Sequence, residues 1–320
     1  MSAALTGLRY DSRNIFGIEI VFDVEAVDVI VNNIRHVANC PHWACVSCSK
    51  QLFQEVTSNS ILTSMVVPPE SVIVDIGCHI GTYSLPLAKQ GHSLISIDGS
   101  PDSIACLGEA QRRNNLRNII AINKVLSNDE RSCFFNSKSS AYSAIDDNFS
   151  TNIPQTTSTL DILLKSQLSY INQCDLIKMD VEGQEQKVIE GAFYTIVQFK
   201  PILILEINTS CLHKQNQKPN ILFRVLTELG YDILLPEFDL NTMQVNLLQI
   251  DPDAIFPYGI ENVLCCHKER KFKGKEYTPP KSNLELYSTL QRQYKSNSNL
   301  DSPFNSYFKS LIDEDTVANT

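Results

Sequence analysis

The stretch V-I-V-D-I-G-C-H-I-G-T-Y-S-L-P-L-A, from Val72 to Ala88, decides the fold class of this chain. It opens with a short apolar run that contains one acid, Asp75, and such a run is typical of a buried strand. Gly77 lets the backbone turn tightly, and Gly81 lets a ligand or a neighbouring strand approach without a Cβ in the way. A helix-like pattern follows, and a helix N-terminus offers unpaired N–H groups. The stretch therefore predicts a strand, a ligand-receiving turn and a helix.

From Val72 onward, short apolar runs alternate with longer amphipathic runs. This pattern predicts an α/β fold, with a seven-stranded, mostly parallel sheet covered by helices on both faces. The predicted strands are Val72–Ile76, Leu94–Asp98, Ile119–Asn123, Asp175–Asp180, Ile202–Ile207, Tyr231–Leu235 and Asn262–Cys266. The predicted helices are Gly81–Gln90, Pro101–Asn115, Leu160–Leu168, Glu185–Gln198 and Asn220–Leu229. The last two strands follow each other closely, so we expect one of them to be antiparallel.

The sequence divides into three parts. Residues 1–70 are predicted to be an N-terminal extension or cap, residues 71–267 the α/β domain, and residues 268–320 a polar, partly disordered tail. Inside the domain, residues 128–159 are polar and weakly patterned, which indicates a functional loop, a small hairpin insertion or a lid. The Ser-rich run Ser137–Ser143 is a candidate wall of a substrate site.

Charge and cysteine usage limit the partners and the compartment. The formal net charge of -9 argues against nucleic acid as a partner, because phosphate backbones are bound mainly by clustered Lys and Arg. No run approaches the roughly 20 apolar residues that span a bilayer, so no membrane partner is expected. The N-terminus lacks the apolar core of a secretory signal, and the 10 cysteines are therefore interpreted as reduced thiols of a cytoplasmic protein.

The turn after the first strand and the acid after the second predict a nucleoside-binding site. Asp98 lies 21 residues after Gly77, at the end of the next predicted strand, where a carboxylate can accept hydrogen bonds from both hydroxyls of a ribose. A dinucleotide such as NAD and S-adenosylmethionine (SAM) both contain a ribose. The dinucleotide fingerprint has a middle glycine, and His79 occupies that place. Asp75 would repel a pyrophosphate but suits the cationic end of SAM, so electrostatics favours SAM.

Three blocks resemble, in this order, the FkbM family of SAM-dependent methyltransferases. They are V-D-I-G-C-H-I-G-T-Y-S (Val74–Ser84), D-L-I-K-M-D-V-E-G (Asp175–Gly183) and P-I-L-I-L-E-I (Pro201–Ile207). The runs V-L-S-N-D (Val125–Asp129) and T-S-T-L-D (Thr157–Asp161) fit the same family pattern, and the similarity covers about residues 50–267. The resemblance implies a class I, Rossmann-like methyltransferase fold. It also implies transfer of a methyl group from SAM, usually to a hydroxyl oxygen.

The same resemblance implies which residues bind the cofactor. Asp75, Gly77 and Gly81 would line the methionine end of SAM, Asp98 would take the ribose hydroxyls, and the loop at Leu126–Ser127 would border the adenine. The family usually has Ala-Asn where this chain has Cys78-His79, and Glu-Pro where it has Asp98-Gly99. We assign His79 to the cofactor-binding set as a polar side chain that pins the turn, with a role as a base as the alternative. Cys78 is interpreted as a small buried hydrophobe.

The catalytic candidates are acids that follow the fourth and fifth strands. A hydroxyl acceptor has to lose a proton, which favours a nearby general base or a metal ion. Asp180 ends the fourth strand, Glu182 follows it, and Glu206 lies at the end of the fifth; these three are our catalytic assignments. Asp180 with Glu206 and Asn208 also resembles the Mg²⁺ layout of metal-dependent O-methyltransferases. We assign no metal ligand, and Glu182 has an alternative structural role at a helix start.

One further cluster has metal-ligand character. Cys40, Cys45 and Cys48, with His36 or His42, could supply four tetrahedral zinc ligands. The spacing lacks a matching second pair of cysteines, so packing of thiols around Trp43 is the favoured interpretation.

The sequence thus predicts a cytoplasmic SAM-dependent methyltransferase that acts on a hydroxyl oxygen of a small molecule or glycan. Two alternatives remain open at this point: a catalytically silent SAM-fold interaction module, and an NAD-dependent oxidoreductase. No sequence pattern identifies the acceptor, because acceptor pockets are built from the least patterned segments. None indicates the oligomeric state.

Overall fold

The computed structural model of the chain describes residues 9–11, 19–22, 27–31, 34–38, 62–136, 144–145, 153–239, 244–253 and 260–270, with the first four ranges and 144–145 as backbone only. Several predictions fall outside these ranges: the zinc alternative at residues 40–48, the Ser-rich wall at 137–143 and the tail beyond 270.

An eight-stranded sheet forms the centre of the described molecule, in the order β15-β14-β16-β13-β12-β5-β6-β7. Its strands are β5 (Val72–Ile76), β6 (Ser93–Asp98), β7 (Ile119–Asn123), β12 (Leu176–Met179), β13 (Ile202–Asn208), β14 (Tyr231–Asp239), β15 (Gln244–Gln249) and β16 (Ile260–His267). The strands from β13 to β7 are parallel, whereas β16 is antiparallel to both of its neighbours. The predicted α/β architecture is confirmed, and so is the antiparallel late strand.

One strand of this sheet was not predicted. β15 pairs antiparallel with the far end of β14 and adds an eighth strand at the edge. Its sequence, Q-V-N-L-L-Q, breaks the alternation of apolar and polar residues with two successive leucines, so it carries no clear period of 2. Six of the seven other strands differ from their predicted bounds by no more than two residues at either end, whereas β14 continues four residues beyond its predicted end.

Helices cover both faces of the sheet. They are α1 (residues 62–66), α2 (Ser84–Lys89), α3 (Pro101–Arg113), α4 (Leu160–Gln167), α5 (Glu185–Gly191), α6 (Phe193–Phe199), α7 (Thr209–Lys214) and α8 (Pro219–Glu228). The helices α1–α3 pack on one apolar cluster and α4–α8 on the other. Successive residues of β5 alternate between the two clusters, with Ile73 in one and Val74 in the other, as the pleat requires.

The predicted helix Glu185–Gln198 is wrong as a single helix, because the chain breaks between α5 and α6 at Ala192. The cause is a carboxylate from another helix. Asp161 of α4 accepts hydrogen bonds from the N–H groups of Tyr194 and Thr195, at 2.9 and 2.8 Å, and so caps the first turn of α6. No local pattern in the segment itself encodes this partner.

Two smaller sheets accompany the central one. β1 (Arg9–Asp11), β2 (Glu19–Phe22), β3 (Val27–Val31) and β4 (Ile34–Ala38) form an antiparallel sheet in chain order. Between β7 and α4, the strands β8 (Val125–Leu126), β9 (Ser132–Asn136), β10 (Ala144–Ile145) and β11 (Ile153–Ser158) form a second sheet. The weakly patterned segment 128–159 therefore contains a hairpin insertion, one of its three predicted interpretations.

Arg270 ties the end of β16 to the amino edge of the sheet. Its guanidinium donates to the carbonyl oxygens of Cys174, Asp175 and Phe199, at 3.2, 3.3 and 3.1 Å. The opposite, carboxyl edge of β5, β6, β12 and β13 is where the predicted site residues lie. Among the described residues, no helix is both long and apolar enough to cross a bilayer.

Candidate functional site

The turn after β5 packs directly against the end of β12. Gly77 has φ +75°, and its N–H donates to the carbonyl oxygen of Ile97 on β6 at 2.8 Å. A Cβ at Gly77 would lie 1.8 Å from the carbonyl oxygen of Asp180. Only glycine fits here, because the backbone is left-handed and a neighbouring backbone occupies the space of a side chain. The turn and Asp180 are therefore held next to each other.

Gly81 has a different neighbour from the one that the sequence suggested. Its φ is +90°, and a Cβ there would lie 2.5 Å from Cδ1 of Leu107 on α3. The space that the missing side chain leaves is thus filled by an apolar residue of the protein. The close approach predicted for a ligand or a neighbouring strand is made instead by a helix.

His79 joins the two loops of the predicted nucleoside site through its backbone. It has φ +48°, a conformation that few non-glycine residues adopt, and its N–H donates to Oδ2 of Asp98 at 2.8 Å. Burial lowers the pKa of the imidazole to about 4, so the ring is neutral at neutral pH. Its neighbour Cys78 is buried, and burial raises the pKa of the thiol well above its usual range.

Asp98 closes the second loop at the end of β6. Its Oδ1 accepts from the N–H of Ser100 at 2.7 Å, while Oδ2 accepts from His79. Burial raises the pKa of this carboxyl to about 6, although both backbone hydrogen bonds lower it. Each carboxylate oxygen has two lone pairs, so one acceptor position on each oxygen remains for further donors.

Asp75 is more deeply placed than its position in the sequence suggested. The residue is 0% exposed, and its Oδ2 accepts a hydrogen bond from Oγ of Ser84 at 2.6 Å. Its Oδ1 lies 3.9 Å from Nζ of Lys178. Burial raises the pKa of the Asp75 carboxyl, and the Lys178 charge and the Ser84 hydrogen bond lower it. A carboxylate with no exposed surface does not contact a molecule in the open part of the site.

Lys178 is a site residue that sequence reasoning missed. It lies on β12 between apolar residues, with its side chain 7% exposed, and its Nζ donates to Oδ2 of Asp180 at 3.2 Å. The sequence contained a signal: a single lysine in the run L-I-K-M of a predicted core strand. A buried lysine requires a paired anion.

The loop after β12 is held by its own acids. Glu182 has φ +52°, and its Oε2 accepts from Nδ2 of Asn208 at 2.9 Å and from the thiol of Cys211 at 3.1 Å. Burial raises the pKa of this carboxyl. Glu185 is the first residue of α5, and its side chain reaches back into the loop, where Oε1 accepts from the N–H groups of Val181 and Gly183 at 3.3 and 3.2 Å. Burial raises the pKa of Glu185 to about 7.

The three catalytic candidates come together at the carboxyl edge of the sheet. One carboxylate oxygen each from Asp180, Glu182 and Glu206 lies within 4.8 Å of the others, and all three residues are half-buried. Oxygen atoms at this spacing could hold a divalent cation. Asn208, predicted beside Asp180 and Glu206, contacts the third acid of the cluster: its Nδ2 donates to Glu182, while its Oδ1 accepts from the N–H of Cys211 and caps α7.

Leu126 and Ser127 form the end of β8 and its exit. The N–H of Ser127 donates to the carbonyl oxygen of Ser158 on β11 at 2.9 Å, and a Cβ at Gly191 would lie 2.1 Å from the carbonyl oxygen of Ser127. Both residues are buried. The preceding Val125 contacts the Gly99 position beside Asp98, so this strand begins next to the predicted ribose loop. The role of the pair beside an adenine stays a prediction.

Cys265, Cys266 and His267 form no metal-ligand cluster with other residues that the structure describes. Both thiols are free and buried, and the imidazole packs edge-on against Tyr231, with 5.1 Å between ring centroids. Its Nδ1 accepts from the N–H of Glu269 at 3.1 Å. Within the described ranges, the carboxylates of Asp180, Glu182 and Glu206 are the sole group with metal-ligand spacing.

A family model of the methyltransferase FkbM domain matches residues 75–233, about half of the chain. An uncharacterized protein of Haemophilus influenzae is 30% identical over 67 residues, which cover 21% of this chain and 25% of that protein. The chain thus spans about a quarter of the length of the curated relative that it matches. The family match contains Asp75, Asp98 and all three acids of the carboxylate cluster.

Similar solved structures include two methyltransferases. The methyltransferase FkbM of Methylobacillus flagellatus KT has a TM-score of 0.41 and 16% identity, over 66% of this chain and 48% of that one. The Pyrococcus abyssi tRNA (uracil-54, C5)-methyltransferase, in complex with S-adenosyl-L-homocysteine, has a TM-score of 0.41 and 12% identity, over 76% of this chain and 44% of that one.

Proposed function

Because the chain belongs to the FkbM methyltransferase family, we propose that it transfers a methyl group from SAM to a hydroxyl oxygen of a small molecule or glycan. Asp180 acts as the base in this proposal, and Glu182 and Glu206 orient the acceptor. Asp98 and the turn at residues 77–81 hold the cofactor.

One observation carries the proposal. The Gly77 turn lies against the backbone of Asp180, and the side chain of Asp180 belongs to a cluster of three half-buried carboxylates. A turn suited to a nucleoside ligand and a set of proton acceptors therefore share one edge of the sheet. Methyl transfer to a hydroxyl needs this combination, since the acceptor must be aligned with the methyl group and must also lose a proton.

The residues present suit a cationic nucleoside cofactor. Asp98 keeps an acceptor position on each oxygen for the two ribose hydroxyls, and its geometry is fixed by two backbone N–H groups. The half-buried acids Asp180, Glu182 and Glu206 create a negative potential beside the turn. Such a potential favours a sulfonium and opposes a pyrophosphate. When bound, SAM supplies an electrophilic methyl group.

The chain's own groups then handle the acceptor. A half-buried carboxylate accepts a hydrogen bond from the acceptor hydroxyl and takes its proton as the oxygen becomes nucleophilic. Asp180 is assigned this role because its backbone adjoins the turn and its Oδ2 is fixed by Lys178, which leaves Oδ1 for the acceptor. Glu206 and Glu182 have carboxylate oxygens within 4.8 Å of those of Asp180, and in this proposal they accept hydrogen bonds from other hydroxyls of the same molecule.

The two alternatives make different binding predictions. An NAD-dependent enzyme would need close approach of a pyrophosphate to the turn, where this chain has the bulky, half-buried His79 in place of glycine. A silent SAM-fold module would bind the cofactor without transferring its methyl group. Neither alternative uses the clustered acids.

Isothermal titration calorimetry of the full chain with SAM, S-adenosylhomocysteine and NAD tests the proposal. We expect binding of SAM and S-adenosylhomocysteine and none of NAD at the same concentration. Binding of NAD without SAM would overturn the proposal. Binding of SAM with no label transferred from methyl-labelled SAM to any acceptor in an extract of the source organism would favour the silent module.

A further inference from the structure

Five polar side chains form a path through the interior that ends at Asp180. Ser84 donates to Oδ2 of Asp75 at 2.6 Å, so the 2.6 Å contact between Ser96 and Ser84 has Ser96 as its donor. The other oxygen of Asp75, Oδ1, lies 3.9 Å from Nζ of Lys178. Lys178 in turn donates to Oδ2 of Asp180 at 3.2 Å. The path joins α2 and three parallel strands.

Exposure to solvent rises along this path. Ser96, Ser84 and Asp75 are 0% exposed, whereas the side chains of Lys178 and Asp180 are 7% and 27% exposed. A molecule in the open part of the site can therefore touch Asp180 but not Asp75. Oδ1 of Asp75 accepts no hydrogen bond from the described residues, and Lys178 is the cation beside it.

Sheet register explains why these groups meet. Lys178 on β12 is the direct neighbour of Asp75 on β5 in the parallel ladder, and Ser96 on β6 is the neighbour of Asp75 on the other side. All three face the helices α1–α3. The residues two positions earlier in the same strands, Ile73, Leu94 and Leu176, point to the same face and belong to the apolar cluster under those helices. Asp180 follows Lys178 by two residues and so continues on the same face.

The two buried charges stabilise each other. The Lys178 ammonium would be costly in an apolar strand without an anion, and Asp75 has the same need for a cation. Burial raises the pKa of the Asp75 carboxyl, and the nearby Lys178 charge opposes that rise. A pair with so little contact with solvent holds the ammonium in one place. The second contact of that ammonium is Asp180.

We propose that Lys178 is a positioning residue that fixes the Asp180 carboxylate, and that Asp75 is the buried anchor of Lys178 rather than a contact of the cofactor. The assignment of turnover to Asp180 rests on the proposed function above. The positioning itself does not. Substitution of Asp75 or Lys178 should therefore lower the rate of methyl transfer and displace the Asp180 carboxylate, with little effect on the affinity for the cofactor.

Crystal structures of the wild type and of the double variant Asp75→Asn/Lys178→Met test the positioning. The double change removes both charges together, so neither remains buried and unpaired. We expect the Asp180 carboxylate to leave its wild-type position in the variant. An unchanged Asp180 carboxylate would overturn the proposal, whatever reaction the protein catalyses. Lys165→Met, at an exposed lysine of α4, is the matched control and should leave Asp180 in place.

Calorimetry and methyl transfer test the separation of rate from affinity. We expect the double variant to bind SAM and S-adenosylhomocysteine within about 3-fold of the wild type. Its rate of label transfer at saturating SAM, with source extract as acceptor, should fall about 100-fold, the effect of a displaced catalytic group. The opposite result, a SAM affinity weakened more than 10-fold with an unchanged rate, would show that Asp75 acts on the cofactor.

Ser84→Ala provides a second variant that keeps both charges, should the double variant fail to fold. It removes the hydrogen bond that orients Asp75, so we expect a smaller fall in rate, about 3- to 10-fold, at unchanged SAM affinity. A weakened SAM affinity at an unchanged rate would contradict the proposal here too. Failure of the wild type to bind SAM would refute the proposed function but leave the crystallographic test intact.

Discussion

The backbone N–H of His79 donates a hydrogen bond to Oδ2 of Asp98 over 2.8 Å, and this contact joins the turn after β5 to the end of β6. The two loops of the proposed nucleoside site are therefore fixed relative to each other before a ligand arrives. The donor is a backbone group held at φ +48°, so the contact depends on the shape of the turn more than on the imidazole.

Asp98 should make cofactor binding depend on pH. Its folded-state pKa is raised to about 6, and the ionised carboxylate is the better acceptor for ribose hydroxyls. As the pH falls from 7.5 to 5, the carboxyl takes up a proton, and we expect the Kd for SAM to rise about 10-fold. Asp98→Asn should bind SAM more weakly at pH 7.5, and its Kd should not rise further as the pH falls to 5. Calorimetry at several pH values measures both. If the variant kept the same rise of the Kd between pH 7.5 and 5, the pH dependence would belong to another titratable group.

Gly77→Ala and Gly91→Ala should differ sharply in stability, although both glycines have positive φ. A Cβ at Gly77 meets the Asp180 carbonyl oxygen at 1.8 Å, whereas a Cβ at Gly91 meets nothing within 4 Å. Gly91→Ala should cost only the left-handed strain, about 1–2 kcal/mol. Gly77→Ala should cost about 2 kcal/mol more, since the backbones of two strands must separate. Urea unfolding measures both free energies. Equal losses would mean that the turn does not need the close approach.

Glu185 should make folding less favourable as the pH rises. Its pKa is about 7 in the folded chain, against 4.5 as the ordinary value, so the folded state binds more protons than the unfolded state between these two values. The stabilisation is complete below pH 4.5 and is lost as the pH rises through 7. Glu185→Gln should remove about 1–3 kcal/mol of this pH dependence.

Unfolding by urea at pH 5 and at pH 8 measures the Glu185 effect as the difference between the wild type and the variant. Glu190→Gln, at an exposed acid of the same helix, is the control and should keep the wild-type dependence. A wild type and a Glu185 variant with parallel pH profiles would show that this carboxyl is not buried in the loop.

Much of the fold could be predicted because the amino-acid composition of the strands indicates that they are buried. The runs at residues 72–76 and 202–207 are apolar except for one acid in each, Asp75 and Glu206, and parallel strands buried on both faces need such a composition. The break at Ala192 could not be predicted, since it depends on Asp161, 33 residues before Tyr194 in the chain. The edge strand β15 could not be predicted either, because its two successive leucines break the alternation of apolar and polar residues.

The site divides in the same way. The common location of Asp98, Asp180 and Glu206 could be predicted because the carboxyl ends of parallel strands meet at one edge, so position along the chain is enough. The partners of these acids depend on register across strands, which the sequence does not display. Lys178 was missed for this reason, and Asn208 was placed beside Asp180 although its oxygen caps α7. Only the folded geometry shows whether such a side chain caps a nearby helix or belongs to the site.

The most direct measurement of the central claim compares methyl transfer by the wild type with that by Asp180→Asn, using methyl-labelled SAM and an extract of the source organism as acceptor. We expect transfer by the wild type and a loss of at least about 100-fold in the variant, because the amide cannot take the acceptor's proton. Asp251→Asn, at an exposed acid after β15, should transfer at the wild-type rate. Near-normal transfer by Asp180→Asn would contradict the account.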